Sequence, residues 1–245
     1  MPIFLIIAGV AVLAACSRQE DYDCPVLDQY PQDIDYDNPD KYLASGEQTE
    51  AGALVRSAAK EARSRAQADG GSSMDYFRAI DEVVHERLYV NTDNEQSNAR
   101  DAEGVLEVGY ASGCHDWAVA GAAILREMDI PVVYVDSAHR DSLEGALPEG
   151  QVKGHAFLEL FDENNRDCAS DAGCWLLYDV TFSKLYTGYD PLESALPGGY
   201  VTFAKGLDPW SMDIESIDEV EVCIDRFSEE YYEGTSDPGY PVTDL

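Results

Sequence analysis

Residues 110–135 read Y-A-S-G-C-H-D-W-A-V-A-G-A-A-I-L-R-E-M-D-I-P-V-V-Y-V, and the period of the apolar residues changes within them. After Ser112-Gly113, the residues Trp117, Ala118, Gly121, Ile124, Leu125 and Met128 recur at helical spacing, and Pro131 ends the pattern. Val132–Val135 then reads as a short buried strand. His155–Phe161 and Trp175–Val180 repeat the strand signal, separated by loops over 137–153 and 162–174. Working outward, Leu54, Val55, Ala58, Ala59, Ala62 and Ala66 predict a helix beginning near Thr49 and stopped by Gly70-Gly71. A second helix, capped by Ser72 or Ser73, carries Tyr76, Phe77, Ile80, Val83, Val84 and Leu88 on one stripe. Residues 91–104 read as polar loop, and 200–204 and 219–225 as further strands. A helical first half followed by an antiparallel sheet is an α+β fold.

The chain has 245 residues, which suits one domain with appendages. Its 48 Asp and Glu against 16 Lys and Arg give a formal net charge of −32. Nucleic acid is excluded as a partner, because its phosphates need Lys and Arg. A polybasic grip on anionic lipid is excluded for the same reason. The basic residues comprise 11 Arg and only 5 Lys. That balance fits either a high-salt habitat, where charge repulsion is screened, or an acidic secreted protein.

Residues 2–15, P-I-F-L-I-I-A-G-V-A-V-L-A-A, are too few to span a bilayer, which takes about 20 residues. They have the length of an export leader. Leu13-Ala14-Ala15-Cys16 resembles a bacterial lipobox, although no basic residue follows Met1. The resemblance implies removal of 1–15 and an exported protein held to a membrane by lipid on Cys16. Residues 16–48, rich in Asp, Tyr, Pro and Gln, read as an acidic tether. The domain is placed at 49–228 and a disordered tail at 229–245. Export leaves Cys24, Cys114, Cys168, Cys174 and Cys223, an odd number in a compartment that favours disulfides. Cys168 and Cys174 can close a local loop, and Cys24 and Cys223 can staple the ends. Spacing does not choose among the three pairings of these four, and Cys114 is the natural odd one out.

Cys114 also stands at a helix start, where the helix dipole favours thiolate, the nucleophilic form. A thiol nucleophile needs a base, and the base an orienting group. If the strands of 155–161 and 175–180 pair as a hairpin, His155 and Asp179 become cross-strand neighbours. His139, in the loop, is the rival base. His115 is set aside because adjacent helical side chains do not face each other, and His85 is read as a surface residue. No metal or cofactor is called for: H-E-x-x-H, zinc-spaced cysteines, calcium loops and phosphate-binding glycine motifs are lacking.

The 110–135 stretch, then G-H-A-F-L-E-L-F, then W-L-L-Y-D-V-T, resembles the transglutaminase-like family of papain-like cysteine enzymes. The likeness spans residues ~100–185. It implies N-terminal helices, with the nucleophile at a helix start, packed on an antiparallel sheet that carries the His and Asp. It implies a Cys114–His155–Asp179 triad that attacks an amide carbonyl to give a thioester, resolved by water or by an amine. The oxyanion would meet the backbone N–H of Cys114 and an upstream donor, with Tyr110 or Gln96 as candidates. Asp116 and Trp117 match positions that orient and pack. A peptide, a protein or a peptidoglycan peptide is the implied substrate. The exported cell-wall endopeptidases that carry D-C-S-G and a later P-G-D-L are a poorer match, since neither motif occurs. A lipid-anchored binding module that keeps the fold without turnover is the alternative.

Overall fold

A strand buried on both faces needs apolar or paired side chains at every position, and Val132–His139 (β3) has them: all but its last residue are buried. The computed structural model describes residues 22–91, 98–148, 151–165 and 174–245. The lipidation candidate Cys16, the oxyanion candidate Gln96 and the disulfide candidate Cys168 lie outside them. The chain runs through α1 (Ala53–Asp69), α2 (Ser73–Arg87), β1 (Tyr89–Val90), α3 (Ala102–Val108) and β2 (Tyr110–Ala111) to α4 (Cys114–Glu127). After β3 come α5 (Arg140–Leu143), β4 (Gly154–Phe161), β5 (Trp175–Asp179), β6 (Lys184–Tyr186), β7 (Ala195–Leu196), β8 (Tyr200–Gly206), α6 (Ile217–Glu230) and β9 (Val242–Asp244).

Strands β7-β8-β3-β4-β5-β6-β9, in that order, form an antiparallel sheet. Alternation sorts its side chains. Tyr134, Leu158 and Tyr178 enter the main core with the helices, whereas Val135, Phe157 and Leu177 enter a smaller core on the other face. The mixed helix and antiparallel-sheet architecture is the one the sequence pattern predicts. Ser72 is the cap of α2, in a reciprocal capping box with Asp75.

α4 is buried from His115 to Arg126, not along one stripe. Its Ala and Gly positions are small enough to be enclosed on every side. At Gly121 an added Cβ would stand 3.2 Å from Val180 and 3.4 Å from Leu158, so the helix lies close on the sheet. Buried Arg126 fastens its other end, donating to the carbonyls of Tyr42 (3.1 Å), Val132 (2.8 Å) and Leu207 (2.7 Å) and to Thr49 Oγ1 (2.7 Å).

Several sequence expectations are corrected. The described part of the 16–48 segment is not a solvated tether: Leu27 is fully buried, and the Tyr36 and Tyr42 rings pack on Trp175 at 5.4 and 5.9 Å. Its aromatic residues supply the apolar area that its acidic composition hides. Residues 219–225 are helix, because Val220, Cys223, Ile224 and Phe227 follow the helical period behind a Ser216 cap. The last residues are not all disordered tail: β9 pairs with β6, and Tyr240 packs on Tyr189 at 5.5 Å. Edge pairing uses backbone groups and leaves no side-chain pattern to read. The 91–104 stretch contains the start of α3, capped by the Asp101 side chain through Gly104 N–H at 2.8 Å.

Cys24 and Cys223 are joined by a disulfide, tying the N-terminal segment to α6 across 199 residues. Cys174 is disulfide-bonded as well. Such bonds suit a protein outside the reducing cytoplasm. Among the described residues no helix is long and apolar enough to cross a membrane. Cys24→Ala with Cys223→Ala should lower stability by about 2–5 kcal/mol, read from the denaturant midpoint without reductant. An unchanged midpoint would contradict a stapling role.

Candidate active site

Gly113 is extended and caps α4 without a side-chain hydrogen bond, so Cys114 opens the helix and its first-turn N–H groups carry no side-chain cap. The turn before it is strapped from below. Asp116, almost wholly buried, accepts the Ser112 N–H at 2.8 Å and a bond from Arg100, which also donates to Ser112 Oγ at 2.9 Å. Asp116 therefore ties the turn before Cys114 to Arg100. Tyr110 is occupied elsewhere: Arg100 lies 4.5 Å over its ring, and Tyr89 packs at 5.7 Å. It is not among the residues lining the hollows on either side of Cys114.

Those hollows measure about 270 Å³ each. One is walled by Val90, Ser112, Trp117 and Thr181, the other by His115, Val152, Ile217, Val220 and Ile224, with Lys153 and Glu221. Both open on Gly113 and Cys114. Helix α6 thus supplies one wall, a contribution that a strand over 219–225 could not have indicated.

His155 is the second residue of β4, on the face that carries Phe157, whose ring meets it edge-on at 4.7 Å. Phe182 stacks over it at 5.6 Å, and the Tyr200 ring lies tilted against it at 5.3 Å. Ser137 Oγ donates to the His155 carbonyl at 2.6 Å and holds the strand at that point. The β4–β5 register runs Leu158↔Tyr178, Glu159↔Leu177, so Asp179 reaches His155 diagonally instead of from directly opposite. His155 Nε2 and Asp179 Oδ1 form an ion pair at 3.0 Å, short of hydrogen-bond alignment. Nε2 is thus the ring nitrogen turned to the carboxylate.

The electrostatics follow. Cys114 is a free thiol. Its surroundings would push it up by desolvation, but the imidazolium of His115, and then that of His155, bring it down to about 5. Burial works against the charge of His155, yet the neighbouring Asp179 and Cys114 carry it up to about 10. Thiolate and imidazolium are therefore the paired forms at neutral pH.

Three histidines differ from their sequence reading. His139 caps α5 by accepting the Asp141 N–H at 3.1 Å, so the rival base is used in a turn. His85 is half-buried, not on the surface: it stacks on Trp117 at 4.4 Å and its Nε2 meets the Val180 carbonyl at 2.8 Å. It links α4 to the end of β5, and its spacing from Asp81 on one helix face was the available signal. His115 does face Cys114: Nδ1 lies 3.9 Å from Sγ.

A family profile described as the transglutaminase-like superfamily matches residues 56–180, which include Cys114, His155 and Asp179. No curated protein matches the chain. Among solved structures, a candidate cysteine protease from Cytophaga hutchinsonii aligns at 17% identity and a TM-score of 0.46, over 71% of this chain and 48% of that one. The chain thus spans about half the length of that neighbour.

Iodoacetamide applied without reductant should add one label, at Cys114. Its rate should be half-maximal near pH 5 and level by about pH 6.5. Labelling elsewhere, or a half-maximum near the ordinary thiol value of about 8.5, would contradict the site.

Proposed function

Because the chain belongs to the transglutaminase-like superfamily, we propose that it is an exported cysteine hydrolase that cleaves amide bonds of peptides or side chains through a thioester. The observation that carries this reading is the His155–Asp179 pair, 3.0 Å apart and almost wholly buried, beside a free thiol whose pKa is drawn down to about 5. A buried charge pair next to a thiolate is costly for stability alone and fits chemistry better than packing.

Cys114 Sγ attacks the carbonyl carbon, and the carbonyl π electrons move to oxygen. The oxyanion meets the N–H groups that open α4, where the helix end is positive. His155 gives its proton to the departing amine, the C–N bond breaks, and the thioester remains. A water molecule then loses a proton to His155 as its oxygen attacks the thioester, and the acid leaves with Cys114 restored as thiolate. Asp179 holds the imidazole in orientation and supports its positive form. The two hollows flanking Cys114 would take the acyl and leaving-group sides of the substrate. Water is proposed as the acceptor because it meets an open cleft at about 55 M, and nothing in the sequence marks a dedicated amine site. The leader and Cys16 belong to the same proposal: lipid at Cys16 would hold the enzyme at a cell envelope, where peptidoglycan peptides and proteins are available substrates.

With a peptide amide as substrate, Cys114→Ala and His155→Ala should each lower kcat/KM by at least about 10³-fold, and the double variant little more than either. Asp179→Asn should retain more activity, since it orients and does not react. Product release that quickens on adding a primary amine would make the enzyme a transferase instead. No turnover of any amide, with partner binding unchanged in Cys114→Ala, would establish a binding module.

A further inference from the structure

The triad leaves one buried pair beside the nucleophile unused. His115 Nε2 lies 2.9 Å from Asp136 Oδ1, both side chains at most 3% exposed, while the other ring nitrogen points at Cys114 Sγ from 3.9 Å. Asp136 is paired in register with Ala156, so it lies on the helix-side face of the sheet, whereas the next residue, His155, lies on the other. The two imidazoles thus come to the thiol from opposite faces of one sheet, each backed by its own carboxylate. We propose that His115, held by Asp136, is a second proton acceptor for Cys114, and that it keeps the thiolate formed independently of His155.

The step is a proton transfer: the S–H bond breaks, an N–H bond forms on His115 Nδ1, and Nε2 keeps its own proton, donated to the Asp136 carboxylate. The full arrangement is a row of alternating charges, Asp179, His155, Cys114, His115 and Asp136. Desolvation would pull His115 down, but the charges of Asp136 and Cys114 hold it well above its ordinary value. The other charged groups do not compete for these contacts. Arg100 is engaged by Asp116, and the buried Tyr134 hydroxyl is held neutral by desolvation and by Asp136. Tyr22 is likewise held protonated and donates to the Asp213 carbonyl. Lys153 and Glu221, of opposite sign, line the hollow beside His115. The division of labour follows from the partners. His155, paired with Asp179, is the base of the proposed hydrolysis and passes its proton to the leaving group. His115, paired with Asp136, keeps its proton near the sulfur.

The test is the pH profile of Cys114 alkylation by iodoacetamide, which reads the thiolate without any turnover and so stands apart from the proposed hydrolysis. In His155→Ala the rate at pH 6.5 should stay within about threefold of wild type, although amide turnover is lost. In His115→Asn it should fall by about tenfold or more. Asp136→Asn, which keeps the volume and removes the charge, should move the half-maximum to higher pH and serves where His115→Asn does not fold. A His155→Ala protein whose half-maximum returns to about 8.5 overturns the proposal, because His155 alone would then hold the thiolate. So does an Asp136→Asn protein with the wild-type profile.

Discussion

Helix α4 lies so near the sheet that Gly121 has little room for a side chain against Val180 and Leu158, and that approach fixes where Cys114 stands. A larger residue at this point would lift the helix from β4 and β5, the strands that bring His155 and Asp179. The ends of the helix are fastened by different means. At the C-terminal end Arg126 meets three backbone carbonyls and Thr49. At the N-terminal end Asp116 holds the turn through Ser112 and Arg100. Van der Waals contact sets the height of the helix, and charged hydrogen bonds stop it sliding.

The molecule handles charge differently inside and out. The chain carries a formal net charge of −32, and most of its carboxylates stay in solvent, where salt screens them. Inside, the charged groups have partners. Glu159, fully buried, accepts from Lys205 Nζ (2.5 Å), Tyr36 (2.8 Å) and Tyr189 (2.7 Å). Asp208, also fully buried, takes two backbone N–H groups and a hydroxyl of the Gln48–Thr49 turn. Around Cys114 the pairing continues, but there the middle member is a free thiol whose negative form the neighbours favour. Structural and chemical clusters obey the same rule, that buried charge is kept only in company. They differ in whether one member opens on a cleft.

Much of this was legible in the chain. The period change at Pro131 marks the helix-to-strand switch, and Cys114, His155 and Asp179 stand out by their places at element ends. Signals carried by side-chain composition misled wherever few aromatic residues did the packing. Tyr36 and Tyr42 anchor a segment whose acidity suggests a tether, and Val242–Asp244 joins the sheet by backbone bonds alone. The histidines show a different limit. The rule that adjacent helical residues diverge is a rule for helix interiors. At the first turn Cys114 and His115 are free to converge, and Asp136, on another element, draws the ring into place. That convergence is tertiary and has no local sequence period.

The central claim is that Cys114 forms a covalent acyl-enzyme. The most direct measurement is intact mass of the non-reduced protein after rapid mixing with an activated acyl ester and acid quench. The account predicts a gain equal to the acyl group, mapped to Cys114, removed by hydroxylamine and absent from Cys114→Ala. A wild-type protein whose mass does not change while ester is consumed, or an acyl group mapped to another residue, would contradict it.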